Sequence, residues 1–434
     1  MHVLMTTDTV GGVWVYTQEL VSQLLRNGVR VTLVSLGEIP SPEQTEWMEG
    51  VAGLDFLPTG FALEWMHDAQ PDLEASQGYL ENLIEEVQPD LLHFNQYHYG
   101  AISASQPRVV VAHSDVIGWW QAVHGHEPPA TRWLEWYRGM IRRGLASASA
   151  VVAPSRWMLQ SLKNDYGYGG GEVISNGRTP SRFNPHISKE AFALSVGRIW
   201  DSGKQATLLL SDDLPLDCVV VGSERHPDAR LRPLETQPAP GQVGRVRLAG
   251  EQSQAQLRQL YGRASIYVAT SRYEPFGLAP VEAALSRCAI VANDIPTFRE
   301  IWGDAACYFE RNERASLMVT LAALQSDDTL RRELANRAYH HALAHFTAER
   351  MAAPYRSAAD DDDFASSSSG ASSGGSPSPL AASASSSTRP MTCPSGSWKM
   401  PMGGPAGSFL RGISTLPPSF SALASVWATS CERT

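Results

Sequence analysis

Short apolar runs alternate with amphipathic stretches from the start of the chain. Residues 2–6 are a brief apolar run, and Gly11-Gly12 follows. From residue 13 to residue 26 the apolar positions Val15, Leu20, Val21, Leu24 and Leu25 recur at helical spacing. Asn27-Gly28 stops that helix. Further strands read at residues 29–36, 90–94, 109–112 and 150–153, with helices at 79–87 and 131–145. Each run is short and bounded, as strands covered on both faces are. The alternation predicts a parallel sheet with right-handed crossovers.

The pattern restarts after a junction at residues 184–191. Strands read at 192–196, 218–221, 246–248, 266–269 and 289–291, and helices at 253–262 and 277–286. Two such units facing each other leave a cleft beyond the strand ends, where ligands of open parallel sheets sit. A last helical stretch covers residues 328–356. The expected organisation is an acceptor-side domain at 1–186 and a second domain at 187–340. A helix at 341–357 and a tail at 358–434 complete it. The tail opens on an acidic run at 360–363 and is then rich in Ser, Ala, Gly and Pro. Such a segment buries too little apolar surface to offset its chain entropy, so disorder is expected. Trp398, Phe409, Leu410, Phe420 and Trp427 leave open a short docking segment, and an out-of-frame gene end is also open.

The formal charge of −10 argues against nucleic-acid binding through a basic surface. The five cysteines make no Cys-x-x-Cys pair and no metal-ligand spacing, so reduced thiols in a cytoplasmic protein are expected. The first residues lack the pattern of a signal peptide, and no run of 18 apolar residues occurs. Residues 132–143 are basic and amphipathic, with Trp133, Trp136, Tyr137, Met140 and Ile141 on one face. Packing against the first sheet is the preferred reading of that face. Peripheral contact with the inner face of a membrane is the alternative.

The strongest chemical signal is residues 271–283, Ser-Arg-Tyr-Glu-Pro-Phe-Gly-Leu-Ala-Pro-Val-Glu-Ala. It follows a strand and opens a helix, leaving the N–H groups of Phe276, Gly277 and Leu278 free for an anion such as a diphosphate. Glu274 falls at the mouth of the cleft and Glu282 deeper, and carboxylates accept hydrogen bonds from vicinal hydroxyls. Arg198 and Lys204 are cations suited to charge developing on a departing diphosphate. Gly11 and Gly12 allow close approach at the start of the first helix. His113 follows a strand and Asp115 lies two residues on. His93, Asn95 and Gln96 also follow a strand and read as acceptor-side groups. Each of these taken alone is as compatible with ordinary core or loop polarity.

Glu274 and Glu282 resemble the Glu-x7-Glu motif of retaining GT-B glycosyltransferases of family 4. The resemblance extends over roughly residues 1–356. Residues 151–155 (Val-Val-Ala-Pro-Ser) look like the family's last N-domain strand. Residues 174–185 resemble its Asn-Gly-x-Asp…Phe-x-Pro linker, with Thr179 in place of Asp. Val196-Gly197-Arg198 with Lys204 resembles its phosphate-binding pair, and Ala249-Gly250-Glu251 its nucleobase loop. Thr9-Val10-Gly11-Gly12 lacks the lysine that glycogen and starch synthases carry there.

The resemblance implies a nucleoside diphosphate sugar as co-substrate, no other cofactor and no metal, and transfer with retention. It places His113, Glu274, Arg198 and Lys204 in catalysis. It places Gly11, Gly12, Gly250, Phe276, Gly277, Leu278 and Glu282 on the donor, with Glu282 at the ribose. His93, Asn95 and Asp115 are left for an acceptor, be it glycan, lipid or small molecule. A GT-B nucleotide-sugar epimerase and a non-catalytic nucleotide-sugar binder are the alternatives.

Overall fold

The computed structural model describes residues 1–66, 68–224 and 241–360, with side chains as far as Tyr355. The tail beyond Asp360, for which disorder was expected, lies outside the described residues.

The first sheet holds β1 (His2–Asp8), β2 (Arg30–Leu36), β3 (Leu54–Pro58), β4 (Leu91–Phe94), β5 (Arg108–Val111), β6 (Ala150–Ala153) and β7 (Glu172–Val173). All are parallel, in the order β3-β2-β1-β4-β5-β6-β7. Every residue of β1 is buried, as a strand at the middle of a doubly covered sheet must be. Its helices are α1 (Gly12–Arg26), the short α2 (Pro42–Thr45), α3 (Gln70–Val87), α4 (Val116–His124), α5 (Arg132–Ser147) and α6 (Arg156–Tyr166). Ser155, Thr131 and Asp115 cap α6, α5 and α4 with side-chain oxygens.

The second sheet holds β8 (Glu190–Val196), β9 (Asp217–Val221), β10 (Gln242–Val243), β11 (Val246–Leu248), β12 (Ala264–Ala269), β13 (Ala289–Asn293) and β14 (Cys307–Phe309). Their order is β10-β11-β9-β8-β12-β13-β14, and only the edge pair β10–β11 is antiparallel. Helices α7 (Gln254–Arg263), α8 (Leu278–Leu285), α9 (Pro296–Trp302), α10 (Arg314–Ser326), α11 (Asp328–His345) and α12 (Ala348–Asp360) complete the described chain. The architecture is GT-B: two Rossmann-like α/β domains facing a central cleft. Strand order reverses between β1 and β4 in one sheet and between β8 and β12 in the other. Each reversal opens a crevice at the strand C-termini, and the two crevices face each other.

The chain crosses between domains twice, and the crossings run side by side. Arg178 N donates to Phe346 O at 2.9 Å, and Ala348 N donates to Arg178 O at 3.0 Å. Gly177 permits this approach, because a Cβ there would lie 2.2 Å from Thr347 O. Phe346 packs in the second domain's core, against Phe276 and Trp302. Met351, Ala352 and Tyr355 of α12 pack in the first domain's core with Tyr16, Leu20 and Leu24 of α1. Tyr16 and Tyr355 share a hydroxyl contact of 3.0 Å.

Tyr137, Met140 and Ile141 of α5 are buried in the first core, with Trp133 and Trp136 packed partly buried beside them. Packing against the first sheet therefore accounts for most of that face. No described helix is long and apolar enough to cross one. Cys218 and Cys288 are free and buried.

Candidate functional site

The two crevices form one cavity of about 470 Å³. On the C-terminal wall, residues just past β8 and β12 meet the start of α8. Lys204 Nζ lies 2.5 Å from Glu274 Oε2, and Ser271 Oγ donates to the same oxygen at 3.1 Å. Arg198 Nη2 pairs with Asp201 Oδ2 at 2.7 Å, its guanidinium 5.2 Å from the Trp200 ring centre. Burial would push the Asp201 carboxyl up. Arg198, Lys204 and donation from Trp119 Nε1 and Gly203 N outweigh it and hold the group below its ordinary value.

Two helix starts open on this cavity. Gly277 precedes α8 at φ 93° and Gly11 precedes α1 at φ 69°, and neither offers a side-chain cap. The first N–H groups of both helices are left for a ligand. Phe276, Gly277, Leu278, Gly11 and Gly12 all line the cavity. A Cβ on Gly11 would lie 3.6 Å from Arg198 Nη1, so the first domain's glycine loop meets the second domain's arginine.

Glu282 lines the deep end and is 7% exposed. Arg178 Nε sits 2.9 Å from its Oε1, and Arg178 Nη1 donates to Glu19 Oε1 at 2.6 Å. Arg178 is 1% exposed, so three charged groups share one buried network. Burial raises the Glu282 carboxyl above its usual value, and Arg178 opposes that. Thr179, where the linker pattern has Asp, donates its hydroxyl to Glu19 Oε2 at 2.5 Å. Arg178 was not foreseen, although Asn176-Gly177-Arg178 was the segment to search.

On the N-terminal wall, Asn95, Gln96, His113 and Asp115 line the cavity, joined by Asp8 and Glu64, which sequence reasoning missed. Asn95 Nδ2 donates to Thr6 O at 2.6 Å, which turns its Oδ1 to His113 Nε2 at 2.8 Å. His113 Nε2 therefore carries the proton and Nδ1 is an acceptor. Burial, aided by His93, lowers the His113 pKa to about 3, so the ring is neutral near pH 7.

Two expected positions need correction. His93 does not line the cavity: it lies within β4, buried against Tyr16 and Tyr355, and burial lowers its pKa to about 4. Asn95 and Gln96, past the strand end, reach the cleft instead. Gly250 does not line the described cavity either. It turns the chain after β11 at φ 64°, its carbonyl accepting from Gly222 N, and Gln254, Leu257 and Tyr261 of α7 supply that wall. Asp115 reaches the cleft with its carboxylate already engaged. It caps α4 through Gly118 N at 2.7 Å and accepts from Tyr166 Oη at 2.9 Å. Its N–H donates to Tyr273 Oη of the second domain at 2.9 Å. Trp119 Nε1 to Asp201 at 2.8 Å and Ser155 Oγ to Pro275 O at 2.7 Å also tie the domains together.

The description of glycosyltransferase family 4 matches residues 10–182, and that of glycosyl transferases group 1 matches residues 173–341. The chain belongs to the family 4 glycosyltransferases. Mannosylfructose-phosphate synthase of Agrobacterium fabrum is 25% identical over 391 residues, 78% of this chain and 83% of that protein. The lipopolysaccharide core mannosyltransferase LpcC of Rhizobium leguminosarum bv. viciae is 35% identical over 95 residues, 21% of this chain and 27% of its own length. Among solved structures, sucrose-phosphate synthase of Thermosynechococcus elongatus superposes with a TM-score of 0.68 at 17% identity, covering 85% of this chain and all of that one. Anabaena HepE in complex with UDP-glucose gives 0.59 at 15% identity, covering 83% and 99%. This glycosyltransferase thus shares the GT-B fold with both.

Proposed function

We propose that this glycosyltransferase moves a hexosyl unit from a nucleoside diphosphate sugar to a hydroxyl acceptor, retaining anomeric configuration and using no metal. The observation that carries the reading is the convergence of Arg198, Lys204 and two uncapped helix starts on one cavity. A diphosphate entering there exchanges for the carboxylates that now hold both cations. The uncapped N–H groups and the cations then face the oxygen on which charge develops, usually the largest catalytic contribution. Glu282 takes the ribose hydroxyls and Glu274 the transferred sugar. The neutral His113 accepts a sugar hydroxyl through Nδ1.

In the transfer step the bond from the anomeric carbon to the phosphate oxygen breaks, and its electron pair stays on the diphosphate. The acceptor oxygen bonds to the same face of that carbon, and its proton passes to the departing phosphate oxygen. Family membership and the motif at Glu274 and Glu282 support retention. The positive potential of Arg198, Lys204 and the helix starts supports metal independence, since it supplies the charge a divalent ion supplies elsewhere. The name of the HepE complex supports a UDP-type donor, and the relatives' names support a hexosyl unit such as mannosyl. Neither epimerase nor non-catalytic binder is favoured by the comparisons.

The test has two readouts: initial rate with and without excess chelator, and product configuration by proton NMR. Unchanged rate and retained configuration are expected. Rate loss rescued by a divalent ion, or an inverted centre, overturns the mechanism.

A further inference from the structure

Gln96 is 3% exposed and lines the N-terminal wall of the cavity. Its Oε1 accepts from Thr6 Oγ1 at 2.6 Å. Thr6 Oγ1 accepts in turn from Asn95 N at 3.2 Å, and in this arrangement its proton points to Gln96 Oε1. Gln96 Nε2 is left as a buried donor with no partner. Buried polar groups in folded proteins are nearly always satisfied, so an unmet donor on a cavity wall marks a place for a ligand oxygen.

Groups that accept protons line the same cavity. Asp8 ends β1, the strand beside β4, and is 8% exposed. One carboxylate oxygen holds Val10 N at 2.9 Å, and the other has no hydrogen bond among the described residues. His113 Nδ1 is an acceptor by the tautomer derived above. Glu64 lines the cavity too, its two oxygens accepting from Tyr97 N at 3.1 Å and His98 N at 2.9 Å. Among the described residues of the first domain that line the cavity, the acidic groups are Asp8, Glu64 and Asp115, and none is Lys or Arg. The cavity's cations, Arg198 and Lys204, belong to the opposite wall.

We propose that this wall is an acceptor subsite for an uncharged polyhydroxylated molecule, a sugar or polyol without phosphate, read by Gln96 and Asp8. A hydroxyl suits both groups, because its oxygen takes the Gln96 N–H while its proton goes to Asp8. A phosphate group at neutral pH mainly accepts, and burying its charge on a wall whose ionisable side chains include no Lys or Arg carries a desolvation cost that a hydroxyl does not. The chain parts here from relatives whose names carry a phosphorylated product, the mannosylfructose-phosphate and sucrose-phosphate synthases. The inference rests on the donor reading above.

The experiment uses the full chain and pairs each neutral acceptor with its ester: fructose with fructose 6-phosphate, glucose with glucose 6-phosphate, glycerol with glycerol 3-phosphate. Nucleoside diphosphate release from a bound donor gives kcat/KM. Saturation-transfer NMR on the enzyme–UDP and enzyme–GDP complexes reads binding without turnover. At least one neutral acceptor is expected to exceed its ester about 100-fold, the equivalent of ~2.7 kcal/mol of uncompensated charge burial. Gln96→Leu should raise KM for that acceptor about tenfold with nucleoside diphosphate affinity unchanged. Asp8→Asn should narrow the neutral-to-ester ratio about tenfold. Preference for the esters, contact with no member of the panel, or a ratio unmoved in Asp8→Asn overturns the subsite. Failure of every nucleoside diphosphate to bind overturns the donor reading instead.

Discussion

On the C-terminal wall of the cleft each cation rests against a carboxylate: Lys204 on Glu274, Arg198 on Asp201, and, at the deep end, the linker's Arg178 on Glu282. The N-terminal wall has carboxylates and no cation of its own among the described residues. Burial raises Asp8 and Glu64 to about 7 and Asp115 to about 6. The first arrangement is neutral until a diphosphate displaces the carboxylates, and then it stabilises developing negative charge. The second has no cation to hold an anion, and its partly protonated carboxyls suit hydroxyls, which both donate and accept. One fold, used twice, thus makes a site that releases an anion on one side and accepts a neutral nucleophile on the other.

The largest effect should come from breaking the deepest pair. Arg178→Met leaves Glu19 and Glu282 buried without their shared cation, and removing one partner of a buried pair typically costs about 3–5 kcal/mol. Chemical denaturation should show a loss of that order. A loss within experimental error would mean that water or rearrangement satisfies the two carboxylates. Lys204→Ala comes next. Removing one group aimed at developing charge typically costs about 2.7–4 kcal/mol of transition-state stabilisation, so kcat should fall about 100- to 1,000-fold with the fold intact.

A smaller effect sharpens the other wall. Folding raises the Asp8 pKa from its ordinary value to about 7, so the native state prefers the protonated form. That contribution to stability is present at low pH and is lost as pH rises from about 4 to about 7. Asp8→Asn cannot ionise. Its melting temperature relative to wild type should therefore climb across that window and level off above it, by the equivalent of about 4 kcal/mol. A difference independent of pH would contradict the burial of an ionisable Asp8. The smallest effect concerns the tail: ending the chain at Asp360 should leave the melt unchanged, because the Ser- and Gly-rich remainder offers little apolar surface. Ending it at Phe346 should destabilise the first domain, which loses Met351, Ala352 and Tyr355 from its core.

Much of the fold was legible because central strands are short, apolar and buried. Residues 150–153 and 246–248 read as the strands that form there. The edge strand β3 escaped because it is half-exposed and ends in Pro58, so its pattern is indistinct. Among site residues, Glu274 and Gly277 stand in one local motif and could be read directly. Arg178, Asp8 and Glu64 could not. Arg178 meets Glu19 across 159 positions of chain, and nothing near either residue in sequence announces the pairing. His93 was misplaced because it falls inside the strand read at 90–94, where its side chain packs in the core against Tyr16 and Tyr355, whereas Asn95 and Gln96 lie past the strand end.

The central claim is that the C-terminal wall binds a nucleoside diphosphate by exchanging its carboxylates for phosphate and ribose. Titration calorimetry of UDP and GDP against wild type, Lys204→Ala and Glu282→Ala tests it most directly. At least one nucleotide should bind wild type, and each variant should bind about 10-fold or more weakly, the loss expected when a charged hydrogen-bond partner is removed. Equal affinity in all three proteins, or no binding by wild type, would contradict the account.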